Sequence, residues 1–219
     1  MDIADNAIKN RLKNVYFIWG RGKTTIAKKL QEKYGFYIYS TDDSRYTHVL
    51  EAEPENQPYM CREFEKEYGV KSFWELPKEV IWEREEHFVQ EMTPMIIVDL
   101  IALAAKYPII ICEGDIDYRT VIPVASHMVY LCNSGTKFDW FKRPDHEDLV
   151  ASLSKRSDLS DKEMQAIIEN AYACCAGSEG IVPEWVNEFG VKNINWDDRT
   201  SIEQTVHEVE HYFQLQKNI

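Results

Sequence analysis

The chemistry easiest to read in this chain sits in Gly20-Arg21-Gly22-Lys23-Thr24-Thr25, between the apolar run Val15 to Trp19 and the helical pattern TTIAKKLQEKYG. A strand, a glycine-bearing turn, Lys-Thr and a helix together form an anion site. Successive backbone N–H groups and the helix N-terminus converge on one point there. In that chemistry Gly20 to Thr25 cradle the phosphates of a nucleotide, Lys23 reaches the β- and γ-phosphates, and the Thr24 hydroxyl ligates Mg²⁺. The full GxxxxGK[ST] spacing wants a glycine at position 17, where the chain has Phe17. The match is to GxGK[ST] in the right context. A left-handed glycine turn entering an amphipathic helix is the plain alternative.

Carboxylates recur where strands should end. Asp42 and Asp43 close the segment YSTDD, and ligands in open α/β sheets gather at the carboxyl ends of strands. One of the pair could take a proton from an acceptor hydroxyl while the other holds Mg²⁺ through water; capping of the next helix is the competing use. Glu113 ends the apolar run in IIICEGD and is a third candidate beside the metal, with Gly114 turning the chain away. Lys142, Arg143, Lys155 and Arg156 lie in a polar helical stretch. Arg143 and Arg156 could cover a transferring phosphoryl group as a lid, or the stretch could be a solvated helix face. HEVEH, His207 to His211, fits a zinc-protease pattern, but only eight residues follow it and none is an acid to serve as third ligand. The pattern is set aside.

The elements that must position these groups alternate between strand and helix. Strands are expected at VYFIW, FYIYS, YPIIICEGD, HMVYLCN and VKNINW, and helices after the glycine turn, over Lys78–Lys106, within Asp145–Ala176 and over Ser201–Leu215. Residues 46–74 read as irregular, and Pro94 should kink or split the long helix. The buried stripe of that helix is expected at Ile81, Phe88, Met92, Met95, Ile96, Leu100, Leu103 and Ala104. Continuous apolar strands alternating with helices predict an α/β fold, a parallel sheet covered on both faces.

Composition narrows the function classes. The net charge is −12 over 219 residues; residues 51–91 hold twelve Glu against five Lys plus Arg, and residues 1–33 hold eight Lys plus Arg against three acids. A negative chain with one small basic patch disfavours nucleic-acid wrapping and suits a compact anion, although the acidic run could simply solvate helix faces. Cys61, Cys112, Cys132, Cys174 and Cys175 form no CxxC pair, and a reducing cytoplasm fits them. The first fourteen residues lack an apolar signal core, and no membrane span is expected.

With these residues in view, the chain resembles the small P-loop kinases of the adenylate kinase and shikimate kinase neighbourhood, and within them a bacterial kinase-like branch. The likeness rests on VYFI…GKTTIAKKL, TDD with His48 five residues on, PENQP, PIIICEG with Pro123 downstream, and HMVYL. It implies one P-loop kinase-like domain over residues 1–219, a three-layer α/β/α sandwich with a central parallel sheet. A helical substrate-side region would span about 44–106 and a lid-like region about 136–180. It also implies ATP and Mg²⁺ as cofactors, a small hydroxylated or phosphorylated acceptor, and phosphoryl transfer. Lys23, Asp42 and Asp43 would be catalytic, and Thr24, Asp43 and Glu113 would hold the metal. Against the strand-Gly-Gly-Ser-Pro-x-x-Gly-Lys-Ser/Thr pattern of that branch, the chain lacks three residues and places Trp19 where a glycine begins the loop. In the lid, Glu169-Asn170 stands where such relatives have Arg-Asp. Trp19 could fill phosphate space. The turn could be degenerate, the strand could end early and lend Phe17 to Trp19 to the loop, or residues could be missing from the sequence as read. A catalytically impaired kinase-like nucleotide-binding or interaction protein with a degenerate P-loop, acting through protein contacts, is the alternative function.

Overall fold

Five strands form a wholly parallel sheet in the order β2-β3-β1-β4-β5: β1 Val15–Gly20, β2 Tyr37–Ser40, β3 Ile110–Glu113, β4 His127–Asn133 and β5 Lys192–Trp196. The computed structural model describes residues 3–133, 144–176, 181–197 and 199–215. β1 lies between β3 and β4, with Val15 opposite Ile110 on one side and Tyr16 opposite His127 on the other. A strand buried on both faces reads as a continuous apolar run, and β3 is fully buried along its length.

Side chains alternate across β1 and build two cores. Tyr16 and Ile18 join Ile111, Val129 and Leu131 against Ile26, Ala27 and Leu30 of α2 (Lys23–Tyr34) and Val209 and Phe213 of α11 (Ile202–Phe213). Val15, Phe17 and Trp19 join Ile110 and Cys112 against Phe88, Met92, Ile96 and Leu100 of α6 (Lys78–Ala104). Helices thus cover both faces, the three-layer α/β/α arrangement. Among the described residues, α6 is the one helix long and apolar enough to cross a bilayer by length and composition. Here its apolar stripe packs against the sheet.

Several elements depart from expectation. α6 continues unbroken through Pro94, and its buried positions include Thr93 and Ile97 in place of Met95, Leu103 and Ala104, which are only partly buried. Residues 46–74, expected to be irregular, hold short helices joined by loops. α3 (Thr41–Glu51) runs six residues past Arg45, because Ser40 Oγ accepts from the Asp43 N–H and Asp42 and Asp43 place negative charge in its first turn. α4 (Pro58–Cys61) starts with proline at its first position, and α5 (Phe64–Tyr68) ends on Gly69. The polar stretch forms two helices, α8 (Pro144–Leu153) and α9 (Asp161–Ala176). α9 begins at a reciprocal cap: Ser160 N–H donates to Glu163 Oε2 at 2.7 Å and Glu163 N–H to Ser160 Oγ at 3.3 Å. The short helices α1 (Ile3–Arg11), α7 (Tyr118–Val121) and α10 (Glu184–Glu188) lacked a readable sequence period.

Candidate active site

The glycine turn is shorter than a full phosphate loop because β1 does not stop early. Its ladder to β4 continues to Gly20 opposite Leu131, and the Arg21 N–H still donates to Leu131 O at 2.9 Å. Phe17 to Trp19 therefore stay in the sheet and lend nothing to the turn. Gly20 has φ +87°, and a Cβ there would stand 2.1 Å from Leu131 O, so only glycine can leave the strand at this point. Gly22, at φ +84°, is the N-cap of α2. The first intrahelical bond is Ile26 N–H to Gly22 O at 3.0 Å, so the N–H groups of Lys23, Thr24 and Thr25 precede it at the positive end of the helix dipole.

Gly20 to Thr25 all line one cleft of about 780 Å³ at the carboxyl ends of the strands. Asp42 and Asp115 line it too, with Trp185 and Trp196 among its aromatic walls. Sequence order reverses about β1 in the sheet, the place where open α/β folds hold ligands. Trp19 lines the same cleft. It is 4% exposed, its ring packed 6.0 Å from Phe17 and 5.4 Å from Trp185, and its buried indole N–H has no partner among the described residues.

Beneath the turn, the Thr24 hydroxyl donates to Glu113 Oε2 at 2.8 Å. Glu113 is 1% exposed at the end of β3, and Gly114 follows it at φ +130° because a Cβ there would overlap Thr41. Burial raises the Glu113 carboxyl pKa, against the opposing pull of the Thr24 hydrogen bond and the Lys23 charge. Asp42 opens onto the cleft, and partial desolvation by the protein around it raises its pKa while Lys23 opposes the shift. Lys23 Nζ lies 3.6 Å from Asp115 Oδ1. Lys23, Thr24, Asp42 and Glu113 are thus brought together from α2, α3 and β3.

Other candidates fall elsewhere. Asp43 is exposed on α3 and does not line the cleft. Arg156 is held by Asp158 through two bonds of 2.7 Å and donates to Lys71 O at 3.0 Å, outside the cleft lining. Arg143 and Lys142 lie outside the described residues. Asn170 donates to Trp74 O and Leu76 O at 2.7 and 3.0 Å and fixes α9 to that segment.

Sequence reasoning passed over Asp115 and Trp196. Asp115 follows Glu113 by two residues, a signal open to reading. Trp196 ends β5, and its indole N–H donates to Arg21 O at 3.0 Å while its ring lies against Gly22. No local pattern announces that contact. Arg21 Nη2 donates to Cys175 O at 3.3 Å, tying the turn to the end of α9.

No family model matches this chain, and no curated protein matches it. Three solved structures are similar over most of their length. A gluconokinase from Sinorhizobium meliloti 1021 shares 13% identity, covering 95% of this chain and 96% of its own at a TM-score of 0.38. A sugar kinase from Janibacter sp. HTCC2649 shares 18%, covering 92% and 94%, at 0.36. A deoxyadenosine kinase from M. mycoides shares 12%, covering 92% and 99%, at 0.36.

Proposed function

We propose that the chain is a nucleotide-dependent phosphotransferase, with ATP as donor and a small hydroxylated or phosphorylated molecule as acceptor. The observation that carries this reading is the Thr24 hydroxyl on buried Glu113, directly under Lys23 and a glycine-capped helix N-terminus. Lys23 and the first amides of α2 bind the phosphates. Asp42 faces the same cleft, and its raised pKa makes it a better acceptor for a hydroxyl proton than an ordinary aspartate.

Thr24, Glu113 and Asp42 supply hard oxygen donors suited to Mg²⁺. Among the described residues no group of three or more His, Cys, Asp or Glu could hold a metal by itself. When bound, Mg²⁺ neutralises phosphate charge; the residues here bind, orient and accept the proton.

One observation favours a second reading, a kinase-like protein that binds without transferring. The Arg21 N–H is spent on Leu131 O, so the two-residue turn offers fewer donors than a full loop. Each charge-assisted bond forgone weakens phosphate binding by about 1.5–3 kcal/mol. Thermal shift with about 1 mM MgATP tests binding, since a ligand of the native state raises the transition. The phosphotransferase reading expects a shift in the wild type, radiolabel transfer to an acceptor, and loss of both in Lys23→Ala. A shift without transfer to any acceptor supports the binding reading, and no shift in the wild type overturns the phosphotransferase reading and nucleotide binding with it, leaving a kinase-like protein that acts through protein contacts.

A further inference from the structure

The HEVEH segment lies within α11, and the fold leaves both of its histidines open to solvent. Neither the His207 nor the His211 imidazole takes part in a hydrogen bond, ion pair or ring contact among the described residues. The helix beneath them is firmly placed. Ser201 N–H donates to Gln204 Oε1 at 2.8 Å and Gln204 N–H to Ser201 Oγ at 3.1 Å, a reciprocal cap. Val206, Val209 and Phe213 are buried in the core shared with α2, and buried Glu210 accepts from Lys33 Nζ at 2.7 and 2.9 Å.

Four residues apart on a helix, the two histidines share one face, with Cβ atoms about 5–6 Å apart. Two Zn–N bonds of about 2.0–2.1 Å in a tetrahedron set the ligating nitrogens roughly 3.3 Å apart, which two imidazoles at that spacing reach by rotating their side chains. The surroundings favour a cation. His207 lines a cleft of about 620 Å³ with Asp197, Glu203 and Glu208, and among the described residues Arg199 is its one formal cation. Arg199 is held by Asp197 at 2.8 Å, so Glu203 and Glu208 leave the lining negative. Carboxylates alone would suit Mg²⁺ or Ca²⁺; paired imidazoles shift the preference to Zn²⁺, Ni²⁺ and Cu²⁺. Helix formation does not call for histidine here, since Glu, Gln and Lys serve exposed helical positions better.

We propose that His207 and His211 chelate one divalent cation of the Zn²⁺, Ni²⁺ or Cu²⁺ class, with water completing its shell. Two protein nitrogens make an open, exchangeable site, unlike a closed four-ligand structural centre. The ion clips two successive turns of the helix that packs on α2. Neither histidine lines the cleft at the glycine turn, so the site stands whether or not the chain transfers phosphate.

Calorimetry of the full chain with NiCl₂ and with ZnCl₂ tests this against the His207→Ala/His211→Ala double variant, which keeps all five cysteines and so measures their share. One ion per chain should bind above that background. Each single alanine variant should lose about tenfold or more of the affinity while its MgATP titration stays as in wild type. Both side chains are exposed, so the variants keep the fold, which circular dichroism checks. Ni²⁺ and Zn²⁺ should bind above Mn²⁺, with no response to Mg²⁺ or Ca²⁺. Ni²⁺ should raise the thermal transition of the wild type and not that of the double variant. Adding Glu208→His to His207→Ala restores a pair three residues apart on one face and should regain binding. Adding Tyr212→His to His211→Ala puts the second ring five residues from the first, off that face, and should not. Uptake no greater than in the double variant, Mg²⁺ bound as well as Ni²⁺, or recovery that does not depend on the position of the second histidine overturns the proposal.

Discussion

Replacing Thr24 with valine keeps the side-chain shape and removes the hydroxyl that donates to Glu113 at 2.8 Å. Glu113 is 1% exposed while Thr24 opens on the cleft, so a replacement donor could come only as water from the cleft side or from Ser40, its other side-chain donor. A hydrogen bond to a charged group contributes about 1.5–3 kcal/mol, so Thr24→Val should cost about 2 kcal/mol near pH 8, roughly 30-fold in the folding equilibrium. For a chain of this size that lowers the melting temperature by about 4–8 °C. The cost depends on pH in a defined direction. The folded-state pKa of Glu113 lies above its ordinary 4.5, so its stabilising contribution is complete below that value and is lost as pH rises through the folded pKa. Removing the donor to the ionised form raises the folded pKa further, so the extra loss falls on the alkaline side and shrinks to about 1 kcal/mol near pH 4.5. Urea titrations of both proteins at the two pH values measure this, with equal slopes required for the midpoints to be compared. Thr24→Ser should stay within about 0.5 kcal/mol of wild type, and Glu113→Gln should flatten the pH dependence. An equal loss at both pH values, or none at either, would refute the Thr24–Glu113 linkage.

Other outcomes follow from the same geometry. Gly20→Ala forces a Cβ to within 2.1 Å of Leu131 O at φ +87°, and should destabilise by more than about 2 kcal/mol in thermal melts, against about 1 kcal/mol for Gly190→Ala, where φ is +63° but nothing lies within 4 Å of the added Cβ. Trp196→Phe removes the bond to Arg21 O and should cost about 1 kcal/mol while making the turn amides exchange faster with deuterium. Asp115→Asn withdraws the carboxylate 3.6 Å from Lys23 and should tighten MgATP binding by a few fold, roughly 0.5–1 kcal/mol, as read by calorimetry. His127 stacks on Tyr16 at 4.3 Å, and burial lowers its pKa below the ordinary 6.5. Its contribution to stability is therefore present above that value and lost as pH falls through the folded pKa, and His127→Gln should remove this acid-side loss from urea midpoints.

What the sequence determined by itself is the local grammar. Continuous apolar runs, Gly20 and Gly22 before Lys-Thr, and acids after YS and IIIC were legible because strand burial, left-handed glycines and helix starts are set by near neighbours. Those features placed Lys23, Thr24, Asp42 and Glu113 at the carboxyl ends of strands before any contact was known. Short helices such as α4 and α5, four and five residues long, were not legible, since so few residues show no period. The tertiary structure alone decided how short the turn is and what surrounds it. β1 stays paired with β4 through Gly20, which keeps Phe17 to Trp19 in the sheet. Thr24 meets Glu113 across 89 residues of sequence, and Trp196 meets Arg21 across 175. Arg45 and Arg84 come from different helices to share Glu85 over Phe88. Such contacts carry no local signature, because the forces that select them are packing and charge pairing between segments that only the folded sheet brings together.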